Sequence, residues 1–203
     1  VLVSVPDFTR GYGQSVNLPS NADAGLPITL STGQNVTKVE FDLVYDSALL
    51  TITDFSTSIP GAVSTFSSPS TGVVHVSVSS AAEFSATVGA IELGRFAATV
   101  PDTAPYASKQ ILHITSLNVE DSVPQTRPSR TDDGVHIAAF VGDSSGNQAY
   151  SSGDTTLLQR IIVGSGTGPV AYQLADPMLL MDINRGGTIT SGEMEQFTDF
   201  ALR

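Results

Sequence analysis

Between residues 36 and 45 apolar and polar side chains alternate: Val39, Phe41, Leu43 and Tyr45 stand between Lys38, Glu40 and Asp42. A period of two is that of a β-strand with one buried face. Val74, Val76 and Val78 alternate with His75, Ser77 and Ser79 in the same way. Farther on, Ile91 and Leu93 hold one phase while Phe96, Ala98 and Val100 hold the other, and the slip at Gly94-Arg95 predicts a β-bulge. Shorter apolar runs at Val1 to Val5, Gln14 to Leu18, Leu26 to Ser31, Leu49 to Thr53, Ile111 to Leu117 and Val135 to Ala139 are parted by Gly, Pro, Asn, Asp and Ser. They raise the expectation to about nine strands and an antiparallel sandwich. Ser122 to Asp133, with Pro124 and Pro128, reads as a surface loop.

After Val141 the period changes. Leu157, Leu158, Ile161 and Ile162 follow the spacing of a helix's apolar stripe, and Met194, Phe197, Phe200 and Ala201 form a second one. The fold class expected is therefore mainly β with a small α module at the C-terminus: a sandwich over 1–140 and loop-helix units over 141–203. No Pro/Ser linker parts the two, so they are expected to abut in a fixed orientation.

Composition narrows the function. The chain has 203 residues, 40% of them apolar, which is enough to bury a core, and no window approaches the roughly 18 uncharged apolar residues of a membrane helix. Its net charge is −11, with the basic side chains scattered singly, so there is no cationic patch for a nucleic acid. The absence of Cys excludes thiolate catalysis, Cys-based zinc sites and disulfides. Val1-Leu2-Val3-Ser4-Val5 carries neither an initiator Met nor a signal peptide, and reads as the start of a mature chain or an excised fragment.

The C-terminal part contains an internal repeat. Asp143, Ser145, Asn147, Ala149, Ser151 and Asp154 occupy positions 1, 3, 5, 7, 9 and 12 of a loop that runs into the first helix. Starting 39 residues later, Asp182, Asn184, Gly186, Thr188, Thr190 and Glu193 occupy the same positions. Ca²⁺ takes six to eight oxygens at roughly 2.3–2.6 Å, and a 12-residue EF-hand-like loop supplies them from these positions, a backbone carbonyl at 7 and a carboxylate at 12. Two calcium sites are expected. Position 6, which needs a positive φ and is commonly Gly, is Gln148 in the first loop and Gly187 in the second; Gly186 at position 5 offers no side-chain oxygen. With two carboxylates each, the loops are expected to bind calcium with modest affinity. Tyr150 and Ile189, both at position 8, suit packing where the loops meet. Residues 142–203 hold seven acids against three bases, a net −4 that two Ca²⁺ would neutralise, and metal would brace a helix pair that lacks disulfides.

Gly142-Asp143 through Asp154, Leu157-Leu158-Gln159-Arg160-Ile161-Ile162-Val163-Gly164, Ala175-Asp176 and Asp182-Ile183-Asn184 resemble a dockerin, the calcium-binding module of cellulosomes. That resemblance implies that loop positions 10 and 11 and the adjoining helix face contact a partner, here Ser152, Gly153, Arg160, Ser191 and Gly192. Phe41-Asp42-Leu43-Val44-Tyr45-Asp46-Ser47-Ala48-Leu49-Leu50, Gly13 to Pro19 and Asp133 to Ile137 are similar to segments of cohesins. This second resemblance implies a jelly-roll sandwich with one sheet face that binds dockerins. Together they imply a non-catalytic, secreted or cell-surface assembly protein of bacterial or archaeal type, linked to polysaccharide degradation or surface attachment. Its partner would be a cohesin or dockerin, or another copy of itself joined head to tail.

Other motifs carry less. Gly164-Ser165-Gly166-Thr167-Gly168 has no Lys after it and no strand before it, so it is a connection rather than a phosphate loop. His75 alternates onto the solvent face, His113 and His136 lack Glu or His at ligand spacing, no Gly-x-Ser-x-Gly elbow exists, and no residue is assigned as catalytic. Tyr12, Tyr45, Tyr106 and Phe66 offer a sugar-stacking platform in the alternative reading, a carbohydrate-binding sandwich with a calcium-braced appendage; for Tyr45 the core is favoured.

Overall fold

The computed structural model describes residues 1–18, 25–122, 125–166, 168–172, 175–183 and 188–193. Eleven strands among them form two sheets: β1 (Leu2–Ser4), β2 (Phe8–Thr9), β3 (Leu26–Leu30), β4 (Val36–Val44), β5 (Thr51–Thr57), β6 (Val63–Ser70), β7 (Val73–Ser79), β8 (Ile91–Thr99), β9 (Lys109–Asp121), β10 (Arg130–Asp132) and β11 (Gly134–Ile137). One sheet has the order β10-β1-β3-β8-β5 and the other β2-β11-β9-β4-β7-β6. Val39, Phe41 and Leu43 of β4 and Val74, Val76 and Val78 of β7 point into the space between the sheets, as their alternation requires. There Phe96 takes Phe41 and Phe55 edge-on, with ring centroids 6.3 and 4.9 Å away.

The sandwich is not wholly antiparallel. β1 pairs with β10 and β2 with β11, both in parallel. The physical reason is that the first and last strands of the sandwich change sheets at one corner, β1 to β2 through Pro6 and β10 to β11 through Asp133. Val5 N–H donates to the Asp132 carbonyl at 3.0 Å, and Val135 N–H to Asp7 Oδ1 at 2.7 Å. Gly134 is required here, since a Cβ would stand 2.7 Å from the Pro6 carbonyl oxygen. Thus β10 lies inside the segment read as a loop, while Gln14 to Leu18, read as a strand, makes only isolated bridges, Ser15 to Thr99 and Asn17 to Gly25. The bulge in β8 falls one residue before the expected slip: Ile28 faces Gly94 and Thr29 faces Glu92, which leaves Leu93 as the extra residue.

The C-terminal part begins with a loop and the helix α1 (Ser152–Ile162), continues through a 3-10 turn (Val170–Tyr172) and reaches α2 (Pro177–Met181). Gly164 (φ +69°) ends α1: its N–H reaches the Ile161 carbonyl at 2.9 Å and Ser165 N–H reaches Arg160 at 2.8 Å, a Schellman cap. Leu158, Tyr172, Leu180 and Met181 bury a second core against Ile137 and Ala139, with Val135 and Tyr106 at its margin. Hence the described residues of the C-terminal part cover the β2–β11 end of the larger sheet's outer face, and the two parts share a core. The stripe Met194, Phe197, Phe200 and Ala201 lies outside the described residues. None of the described helices is long and apolar enough to cross a membrane.

Candidate functional site

Asp143 leads the first loop and is fully buried. Its Oδ1 accepts from Gly146 N–H at 2.8 Å, Asn147 N–H at 3.2 Å and Ser145 Oγ at 3.3 Å. Its Oδ2 accepts from Gln148 N–H at 2.8 Å and from the Tyr106 hydroxyl. At the other end of the loop Asp154, 1% exposed, accepts Ser145 N–H on Oδ1 at 2.7 Å and both the N–H and the hydroxyl of Ser151 on Oδ2. Asn147 Nδ2 donates to Ser151 Oγ at 3.3 Å. The structure thus brings together all five side chains predicted from the first loop, Asp143, Ser145, Asn147, Ser151 and Asp154. The remaining predicted ligand, Ala149 at position 7, donates its N–H to Asn147 Oδ1 at 2.9 Å.

Two backbone positions fix this shape. Gln148 adopts φ +67°, the left-handed conformation expected of position 6, although its side chain disfavours it. Gly146 (φ +73°) lies where a Cβ would meet the Ala171 side chain at 2.6 Å, so the loop seats against the 3-10 turn.

Electrostatically the loop is unusual. Burial opposes the charged form of Asp154, but the hydrogen bonds from Ser151 and Ser145 outweigh it and hold the carboxyl below its ordinary range. Burial, together with the charges of Asp143 and Asp154, pushes the Tyr172 phenol up to about 12. Among the described residues no Lys, Arg or His forms an ion pair with Asp143 or Asp154. Among the described residues the two buried carboxylates, both bonded to Ser145, are answered by neutral donors, and a cation between them would add the opposite charge that hydrogen bonds do not supply. Asp143, Ser145, Asn147, Ser151 and Asp154 all offer side-chain oxygens as ligands, which fits a hard divalent ion. No three acidic or imidazole side chains converge among the described residues.

The second loop repeats part of this. Asp182 caps α2, and Glu193, fully buried, accepts Thr190 N–H at 2.6 Å and Thr190 Oγ1 at 2.7 Å on Oε2. Thr188 is exposed; Asn184 and Gly186 lie outside the described residues. Of the position-8 pair, Ile189 packs into the second core, while Tyr150 is partly exposed and donates its hydroxyl to the Val141 carbonyl at 3.0 Å. Ser152, Gly153, Arg160 and Ser191 stand exposed and Gly192 half-buried, so the expected partner contacts are on the surface.

A second candidate surface is the rest of the larger sheet's outer face, β9-β4-β7-β6, which the described residues of the C-terminal part leave open. Ile111 (63% exposed), Val63 (66%) and Val44 (38%) lie on it. Between them His75 pairs with Asp42 at 2.7 Å and Glu40 at 3.2 Å, and Lys38 with Glu40 at 2.9 Å and Glu120 at 3.2 Å. The proposed sugar platform does not form as one surface. Tyr12 and Tyr106 pack with Phe140 at the junction of the two parts, while Tyr45 and Phe66 pack on the sandwich core.

No protein-family model matches the chain, and no curated protein matches it by sequence. Solved structures do. A non-cellulosomal cohesin from the hyperthermophilic archaeon Archaeoglobus fulgidus matches with a TM-score of 0.55 at 12% identity, covering 67% of this chain and 88% of that one. The sandwich has the cohesin fold. The seventh ScaB type I cohesin from Pseudobacteroides cellulosolvens gives a TM-score of 0.54 at 12% identity, over 68% of this chain and 91% of that one. The sixth cohesin of scaffoldin B from Acetivibrio cellulolyticus, solved in complex with a Cel5 dockerin, gives 0.52 at 15% identity, over 66% and 95%. The share of the chain that matches cohesins is about that of the sandwich.

The role of Tyr106 is what the sequence did not point to: read as a sugar-stacking ring, it donates instead to a loop carboxylate. Its partner, Asp143, stands 37 residues away, and no spacing rule joins a turn of the sandwich to a loop in the next module.

Proposed function

We propose that this is a non-catalytic assembly protein that works outside the cell or on its surface, through calcium-dependent protein–protein contacts. The sandwich binds a dockerin-type partner on the open outer face of β9-β4-β7-β6, and the C-terminal part is a dockerin-type pair of loop-helix units held by two Ca²⁺ ions. The observation that carries this reading is the cohesin fold, with one sheet face left uncovered by the described residues and bearing exposed Val44, Val63 and Ile111. Such apolar side chains beside satisfied charge pairs suit a protein interface with an apolar centre and a polar rim. In the first loop Asp143, Ser145, Asn147, Ser151 and Asp154 would hold the ion, with the Ala149 carbonyl; in the second, Asp182, Asn184, Gly186, Thr188, Thr190 and Glu193 stand at the same positions. Calcium supplies no chemistry here beyond charge: it neutralises buried carboxylates and so fixes the loop against its helix.

The test is binding of the full chain to a panel of calcium-loaded dockerin modules by calorimetry, with Val44→Asp and Ile111→Asp as variants. Saturable binding that is lost in both variants, with melting temperature unchanged, is the expected result. Retention on insoluble polysaccharide without binding to any dockerin would replace this reading with the carbohydrate-binding one. Sedimentation equilibrium in calcium shows whether a second copy is itself the partner: a mass that rises with concentration indicates head-to-tail association.

A further inference from the structure

We infer that Tyr106 of the sandwich is a positioning residue for the cation site of the first loop, so that the loop's affinity for metal depends on the sandwich against which it folds. The inference rests on the calcium reading above. Tyr106 lies in the connection between β8 and β9, and this connection is tied down independently of the loop. Ala107 N–H donates to the Ala138 carbonyl at 2.9 Å, and Ala138 N–H to the Ser108 carbonyl at 2.9 Å. The Tyr106 ring packs against Tyr12 and Phe140, with centroids 6.0 and 5.7 Å away. Its hydroxyl accepts Phe140 N–H at 3.1 Å and donates to Asp143 Oδ2.

The other donors to Asp143 (Ser145, Gly146, Asn147 and Gln148) all belong to the loop and move with it. Tyr106 is the donor that comes from the sandwich. A carboxylate pinned from a rigid neighbour keeps its orientation before the ion arrives and loses less freedom when it binds. Partners that orient metal ligands in this way typically set affinity by 10–100-fold. Linkage makes the effect reciprocal: an ion in the loop tightens the contact between the two parts.

The test is a calorimetric calcium titration of the full chain, wild type and Tyr106→Phe, with melting curves in calcium and in chelator. Phe keeps the ring and removes the hydroxyl, which is also the acceptor of Phe140 N–H; that second loss is common to calcium and chelator, so the difference between the two melting curves isolates the donor to Asp143. The expected result is two sites in the wild type, with one weakened about tenfold in Tyr106→Phe and the other unchanged. The calcium-induced rise in melting temperature shrinks to match. Two sites of unaltered affinity in Tyr106→Phe, or a melting loss of equal size with and without calcium, would overturn the inference and leave the calcium reading standing. A wild-type chain that binds no calcium would overturn both. Selectively labelled Tyr in the wild-type chain gives a readout without any substitution: the Tyr106 resonance must shift as calcium fills the first loop, and a resonance that stays put contradicts the inference.

Discussion

Ser151 gives both its backbone N–H and its hydroxyl to one oxygen of Asp154, Oδ2, at 2.8 and 2.7 Å. Thr190 repeats the arrangement on Glu193 Oε2. The repeat is therefore geometric as well as sequential, and it places an acid at the start of a helical turn where the backbone N–H groups favour it. Asp154 is the N3 residue of a capping box whose N-cap is Ser151, even before any metal is considered. Asp154→Ala should cost about 1 kcal/mol in chelator, the order of magnitude of a lost capping interaction. In calcium the loss should be larger, because one site disappears as well. Equal losses in both melting experiments would separate Asp154 from metal binding.

Gln148 carries the strain of the first loop, with a non-glycine residue at φ +67°. A left-handed conformation costs an L-residue roughly 1–2 kcal/mol, against about 0.5–1 kcal/mol of extra chain entropy for Gly. Gln148→Gly should therefore raise stability by up to about 1 kcal/mol, read as a higher melting temperature in chelator. A lower one would mean that the Gln148 side chain holds the loop.

His136 gives the sandwich an acid limit. It stacks on Phe8 at 4.6 Å, and its Nδ1 accepts from Gln110 Nε2 at 3.0 Å, while Gln110 Oε1 is taken by Asp46 N–H. Burial, aided by the nearby Arg10 charge, lowers its pKa to about 4. The unfolded chain takes up this proton near pH 6.5, so between about pH 6.5 and 4 it binds more protons than the native state. Stability from this source is complete above pH 6.5 and is lost as pH falls toward 4, by about 3 kcal/mol in all. His136→Asn should flatten melting temperature against pH in that window; parallel curves would exclude His136 as the cause.

Leu158 joins the two parts, buried from α1 against the core that Ile137 and Ala139 share. Leu158→Ala should cost about 2–5 kcal/mol. Limited proteolysis should then remove the C-terminal part while the fragment spanning β1 to β11 survives. Unchanged protease resistance would show that the junction does not depend on this contact.

The large strands were legible because each of β4 and β7 buries one face, and an alternation of Val, Phe and Leu with polar or charged residues fits little besides a half-buried strand. β6 was not, since it pairs with β7 alone and its second half, Ser67-Ser68-Pro69-Ser70, is exposed on both faces. β2 and β10 are two and three residues long and exist because the first and last strands of the sandwich cross sheets together, a tertiary fact that no window records. α2 was missed because Met178-Leu179-Leu180-Met181 is apolar all round and shows no period. The loop side chains were legible from spacing, and even the positive φ at position 6 was anticipated. Their anchoring by Tyr106 was not, for it depends on how the modules pack.

The central claim is that Asp143 and Asp154, buried without an ion pair among the described residues, are held for calcium. Calorimetric titration of the chelator-stripped full chain with CaCl₂ tests it most directly. Saturable binding with a stoichiometry of two is expected, with a melting temperature that rises with calcium concentration as mass action requires. No heat of binding and a melting temperature indifferent to calcium would contradict it.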